Sequence, residues 1–242
     1  MASAPLDSDE ARVAAVADVK RLMRLARTGA LATLEAAGGA PLTTLVGVAS
    51  DFDGAPLFLM SMLSRHTRNL ANDPRASLLL TGLPERGDPL NHPRVTFSGR
   101  IEQTASPRAK IRYLQRNPKA HLYAGFADFA LYQLRIDAVH FNGGFGRAAA
   151  LTPAAVLASR EGEAGLTHAE EELRAEANAL GATALAGLAG YGTGSAWRAI
   201  GLDAEGLDLS AGTRAGRAEF AAPAHDLKTW RARLKALLGT KA

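Results

Sequence analysis

The stretch Pro56-Leu57-Phe58-Leu59-Met60-Ser61-Met62-Leu63-Ser64-Arg65-His66-Thr67-Arg68-Asn69-Leu70-Ala71-Asn72-Asp73-Pro74 changes character halfway along. Residues 55–61 form an apolar run of strand length. At Ser64 the chain turns basic and hydroxyl-rich. Ser64 is a helix-capping residue type, and Pro74 disfavours helical backbone at Asp73, so a short helix is predicted over 64–72. Helix starts expose unpaired N–H groups and the positive end of the dipole, which favours anions. Ser64, Arg65 and His66 add a hydroxyl, a guanidinium and an imidazole in consecutive positions. The same pattern suits a capped surface helix with solvated bases, and both readings stay open on the pattern alone.

Working outward, residues 8–27 place Val13, Val16, Val19, Leu22 and Met23 at helical spacing after an acidic start, with Gly29 as a stop. Strand patterns follow at 29–37, 42–50, 75–82, 95–103 and 131–141, with a turn at 51–54 and a Pro-rich loop at 84–93. Ser106-Pro107 opens a helix that ends at Asn117-Pro118. Short strands joined by turns point to a small β-barrel or sandwich, not to a βαβ sheet.

The second half reads differently. Thr152-Pro153 starts a short helix, and 160–165 has linker composition. A long helix is expected over 167–188, with Thr167 and Glu170 as a capping box. After a Gly-rich piece at 191–195 come three short strands (197–200, 206–209, 217–220) and a final helix ending at 238. The expected domains are therefore 1–150 and 165–242, joined by a linker over 151–164.

Composition narrows the function. The 242 residues carry a net charge of +4, with no Cys. Disulfide scaffolds, zinc fingers, iron–sulfur clusters and thiol catalysis are excluded. There is no long apolar run and no secretory start, so a cytoplasmic protein with no membrane partner is expected. Residues 1–150 hold 18 Lys+Arg against 13 Asp+Glu, and residues 151–242 hold 10 against 11. An anionic ligand is therefore expected on the first part, and the dispersed bases do not suggest nucleic acid. Gly143-Gly144-x-Gly146 and Gly192-x-Gly194 lack the context of a dinucleotide loop. No Walker loop, metal-ligand spacing or catalytic triad is visible.

The 56–74 segment resembles the flavin-phosphate segment of the pyridoxamine 5′-phosphate oxidase-like, FMN-binding split-barrel family, which reads aromatic strand, Ser-Arg-Lys, short helix, Asn-Pro. Phe58, Ser64 and Arg65 match; His66 replaces the Lys, and Asp73-Pro74 replaces Asn-Pro. Thr43-Thr44-Leu45-Val46, Arg94-Val95-Thr96-Phe97-Ser98-Gly99-Arg100 and His140-Phe141-Asn142-Gly143-Gly144-Phe145-Gly146-Arg147-Ala148 agree in order and spacing, with Arg94 in the place of the family's Gln. The His66-Thr67-x-Asn69-Leu70 run is more similar to the family's heme-utilisation and general-stress branches than to the oxidase, and Leu202-Asp203-Ala204-Glu205-Gly206-Leu207-Asp208-Leu209 in the second half resembles the small domain attached to the heme-iron-utilisation branch. That branch often carries His-Met-Asn-x-Asp-His in its long helix. Here Glu176-Ala177-Asn178-Ala179-Leu180-Gly181 keeps only the Asn.

The resemblance implies an α+β protein: a six-stranded split β-barrel of Greek-key type with flanking helices, then a smaller α+β domain. It further implies a homodimer with FMN at the subunit interface. Ser64, Arg65 and His66 would hold the phosphate. Thr43, Thr44, Met60 and Ser61 would line the ribityl chain or ring, and Arg94 would reach a phosphate across the interface. The flavin would carry the redox chemistry on a small-molecule substrate. Two alternatives stand beside this: a heme-binding or heme-degrading protein, and a non-catalytic binding protein on the same fold.

Overall fold

The computed structural model describes residues 8–82, 87–144, 146–191 and 196–239. The Gly192-x-Gly194 piece and residues 84–86 of the expected loop lie outside them. The chain divides into two compact units, Met1–Leu157 and Ala158–Ala242.

The first unit opens with α1 (Asp9–Leu25), capped by Ser8, whose hydroxyl accepts from the Ala11 N–H at 3.1 Å. Its buried side includes Ala15, Val19, Leu22 and Met23; of the stripe expected from the spacing, Val16 is partly buried and Val13 faces solvent at 70% exposure, because the core reaches only the later turns of that face. Then come β1 (Thr28–Leu34), β2 (Pro41–Gly47), β3 (Ala49–Ser50), β4 (Pro56–Ser61), α2 (Arg65–Asn72), β5 (Arg75–Thr81), β6 (Arg94–Gln103), α3 (Pro107–Arg116), β7 (Phe129–Asn142), β8 (Ala148–Leu151) and α4 (Pro153–Val156). The strands pair in the order β2-β1-β5-β6-β7-β4-β3, with β8 added to β7, and every pairing is antiparallel.

The two ends of this path, β2 and β3, are joined by Val48 alone. The sheet must therefore curl until its ends approach each other. Its concave side holds a core that includes Leu31, Phe58, Leu78, Leu80, Phe97 and Phe141. The result is a curled antiparallel half-barrel with flanking helices, which matches a split-barrel fold.

Eight strands replace the expected six. The run 42–50 is interrupted at Val48, where the chain crosses from one end of the sheet to the other. After Asn142 the chain turns back, with the Gly143 N–H donating to the Arg147 carbonyl, and adds β8.

Three arginines of this unit are buried, Arg24, Arg112 and Arg116. Arg24 donates to the carbonyls of Asp51 (2.8 Å) and Phe52 (2.7 Å), and the Arg112 guanidinium lies 5.5 Å from the centre of the Phe52 ring. Part of the basic excess thus fastens the β3–β4 turn and is not available to a ligand.

The second unit holds α5 (Glu163–His168), α6 (Glu170–Ala179), α7 (Ala182–Leu188), β9 (Arg198–Asp203), β10 (Gly206–Ala211), β11 (Arg214–Glu219) and α8 (Leu227–Gly239). Its sheet runs β11-β10-β9. The single helix expected over 167–188 is three helices. Thr167 is not a cap: it sits inside α5, and its hydroxyl donates to the Glu163 carbonyl at 2.6 Å. Gly181, at φ 85°, separates α6 from α7.

The motif residues Asp203 and Asp208 converge on Arg217, at 2.9 and 2.8 Å, in a wholly buried cluster. The two carboxylates hold the Arg217 guanidinium further toward its charged form than usual, outweighing the opposing effect of burial. Asn178 ties α6 to β9, accepting from the Ala199 N–H at 2.8 Å.

Candidate functional site

β4 and α2 meet in a short loop, residues 62–64, that is fixed by polar bonds on several sides. Ser61 Oγ donates to Asp128 Oδ2 at 2.5 Å and accepts from the Leu63 N–H at 3.0 Å. The Met62 N–H donates to the Asp128 carbonyl at 2.7 Å, and the Ser64 N–H to the Ser61 carbonyl at 3.0 Å. The loop holds two large apolar side chains out to solvent, Met62 at 52% and Leu63 at 74% exposure. Phe126 is also exposed, and its ring lies 6.4 Å from that of Phe129, the residue paired with Ser61. Holding exposed apolar groups on a pre-organised loop is costly in water, which makes this loop the candidate binding surface.

Ser64 takes the N-cap position of α2, but its hydroxyl makes no capping bond. The next residue, Arg65, is exposed and reaches Glu35 Oε1 at 2.5 Å. His66 is half-buried. Its Nδ1 lies 3.1 Å from Oγ1 of Thr44, and its Nε2 has no protein partner among the described residues. Burial pushes the imidazole below its usual pKa, toward the neutral form. Asn69, one turn on, donates to Thr33 Oγ1 at 3.0 Å, so α2 is stitched to β1 and β2 through their inward-facing threonines.

The structure therefore brings Thr44 and His66 together and places Ser61, Ser64 and Arg65 around the same β4–α2 junction. Thr43 is exposed on the opposite, outer face of β2. Met60 is buried in the barrel core. Within one chain Arg94 is remote: it pairs with Asn142 while Ser61 pairs with Phe129, at opposite ends of the 14-residue β7. Its guanidinium donates to the Leu90 carbonyl at 2.8 Å. Asp128 and Glu35, which fix Ser61 and Arg65, carried no signal in the sequence. Their partners are 67 and 30 positions away and belong to no local motif.

The outer face of the sheet around β2 presents small and apolar side chains to solvent. Leu45, 76% exposed, stands beside Ala30, and Ala30 pairs with Leu79; Thr43 stands beside Ala32. No group of three or more His, Asp or Glu side chains among the described residues is arranged to hold a metal ion. Among them, too, no helix is long and apolar enough to cross a membrane.

Residues 8–156 match the family model described as CREG, beta-barrel, and the chain belongs to that family. A solved protein of unknown function from Agrobacterium tumefaciens is 34% identical, with a TM-score of 0.83 over 97% of this chain and 99% of its own. A heme binding protein from Mycobacterium smegmatis is 28% identical, with a TM-score of 0.54 over 95% of this chain and 97% of its own. The chloroplastic heme oxygenase HOZ of Arabidopsis thaliana is 30% identical over 138 residues, 55% of this chain. That match spans only 42% of the plant protein's length.

Proposed function

We propose that this chain binds heme through its first unit, at the junction of β4 and α2, and works as a homodimer. One observation carries the reading. A rigidly held loop exposes Met62 and Leu63 directly before a basic helix start that presents an imidazole. A porphyrin needs an apolar bed for its macrocycle, cations for its two carboxylates and a donor for its iron. Met62, Leu63 and Phe126 would serve the first need, and Arg65 and Arg68 the second. Bound heme supplies iron redox and oxygen chemistry, while the protein supplies orientation and electrostatics. Two relatives named for heme support the same ligand.

FMN, the sequence's first implication, has weaker support. Two of the three relatives named above are named for heme, the third is of unknown function, and none is named for a flavin. Met60, expected beside the flavin, is buried in the barrel core, and within one chain Arg94 lies at the far end of β7 from Ser61. The homodimer rests on the bare outer face around Leu45, which a second copy of the same face would cover.

Titration of the purified full chain with hemin tests the reading. A shifted, saturable Soret band is expected. A spectrum identical to free hemin would overturn it. Quenching of FMN fluorescence by the same preparation, with no Soret shift, would reinstate the flavin.

A further inference from the structure

Resting on the heme reading, we infer that His66 ligates the heme iron through Nε2, with Thr44 as the residue that positions its ring. Histidine binds iron through the lone pair of one ring nitrogen, and the other nitrogen is ordinarily tied to an acceptor that fixes tautomer and orientation. His66 has this arrangement: Nδ1 lies 3.1 Å from the Thr44 hydroxyl oxygen, and Nε2 is left free. With Nδ1–H donating to Thr44 Oγ1, the lone pair sits on Nε2. The supports are themselves rigid. Thr44 lies within β2, paired with Leu31 of β1, and α2 is anchored one turn later by Asn69 on Thr33. The ring follows Met62 and Leu63 by four and three residues, so the donor and the apolar bed share one short segment.

The other histidines lack this combination. His92 Nε2 is buried without a partner, enclosed away from a ligand. His121, His140 and His168 are exposed and carry no hydrogen bond on either nitrogen among the described residues. His225 has Nδ1 at 3.1 Å from the Glu161 carbonyl, but its Nε2 faces the Glu161 carboxylate at 3.9 Å. It is the rival ligand. α6 offers none, since Asn178 stands there without a histidine beside it and its side chain is engaged by β9.

The test uses the full chain reconstituted with hemin and read by Soret absorbance, low-temperature EPR and resonance Raman. His66→Ala should lose the His-ligated signature, and His66→Gln should behave alike should the alanine variant fold poorly. Imidazole added to His66→Gly should restore the signature. Thr44→Val should keep histidine ligation but shift the iron–histidine stretch and weaken binding by about tenfold, the scale of a lost outer-shell partner. Wild-type spectra unchanged in His66→Gln would overturn the assignment and leave heme binding standing. Loss of the signature in His225→Ala with His66→Gln unaffected would overturn it in favour of His225. Failure of the wild type to bind hemin would overturn the heme reading itself, and this inference with it.

Discussion

Ser61 and Asp128, 67 residues apart, are joined by a 2.5 Å hydrogen bond that ties the end of β4 to the approach to β7. The same hydroxyl receives the Leu63 N–H, so one side chain organises the loop that displays Met62 and Leu63. Ser61→Ala removes both bonds. It should cost about 1–2 kcal/mol in urea unfolding, the scale of a partly buried hydrogen bond to a carboxylate. A cycle with Asp128→Asn should show coupling between the two sites. Additive losses would mean that the pair contributes nothing jointly.

Gly99 lies opposite the β-bulge in β7, where Asp137 is left without a partner and the pairing shifts register. A Cβ there would collide with the Arg135 carbonyl oxygen, a backbone atom that cannot rotate away. Gly99→Ala should destabilise the first unit by about 3 kcal/mol, at the upper end for overpacking. Far-UV circular dichroism during denaturation would measure it, and a wild-type midpoint would show that the bulge relaxes freely.

Arg217 neutralises two buried carboxylates. Arg217→Met leaves Asp203 and Asp208 enclosed without a cation and should destabilise the second unit by about 3–5 kcal/mol. Both tryptophans of the chain, Trp197 and Trp230, lie in that unit, so intrinsic emission reports its unfolding. Unchanged emission midpoints would refute the prediction.

Asp73 is held at a pKa of about 2 by its hydrogen bonds from Arg75. A carboxylate whose folded pKa lies below its ordinary value stabilises the fold above that ordinary value. The contribution is lost as pH falls from about 4 through about 2. Carbon NMR should find the Asp73 midpoint at the bottom of that window. Arg75→Ala should return it toward the ordinary carboxylate value, and a midpoint unmoved by that change would dissociate the two groups.

Leu45 is the large apolar side chain at the centre of the proposed dimer face. Leu45→Arg should convert a dimer to a monomer in light scattering, with secondary structure retained. A wild-type chain that is already monomeric would rule out the homodimer.

Much of the barrel was legible in the sequence. The alternation of short apolar runs with turns gave strands, and α2 was bounded by Ser64, which holds the N-cap position without a side-chain capping bond, and by Pro74, whose pre-proline effect is local. The strand count was not legible, because the break at Val48 and the return to β8 are decided by which edges meet. The 167–188 segment read as one helix because its Ala-rich composition suits helix throughout; the interruptions after His168 and at Gly181 follow from packing. At the site, the neighbours of Ser64 were readable as a basic helix start. The bonds from Glu35, Asp128 and Thr44 that determine which groups stay free come from distant parts of the chain. The Asp203–Asp208 pair was visible as a motif, but its meaning needed Arg217 from the next strand.

The one-residue joint at Val48 also bears on self-association. An open sheet of this size would offer two unpaired rims to any passing strand, and many proteins blunt such rims with lysine or proline. Here the covalent chain holds the β2 and β3 rims next to each other, so what keeps a passing strand from those two rims is connectivity. Cutting the backbone at that residue, for instance by circular permutation, would release both rims at once.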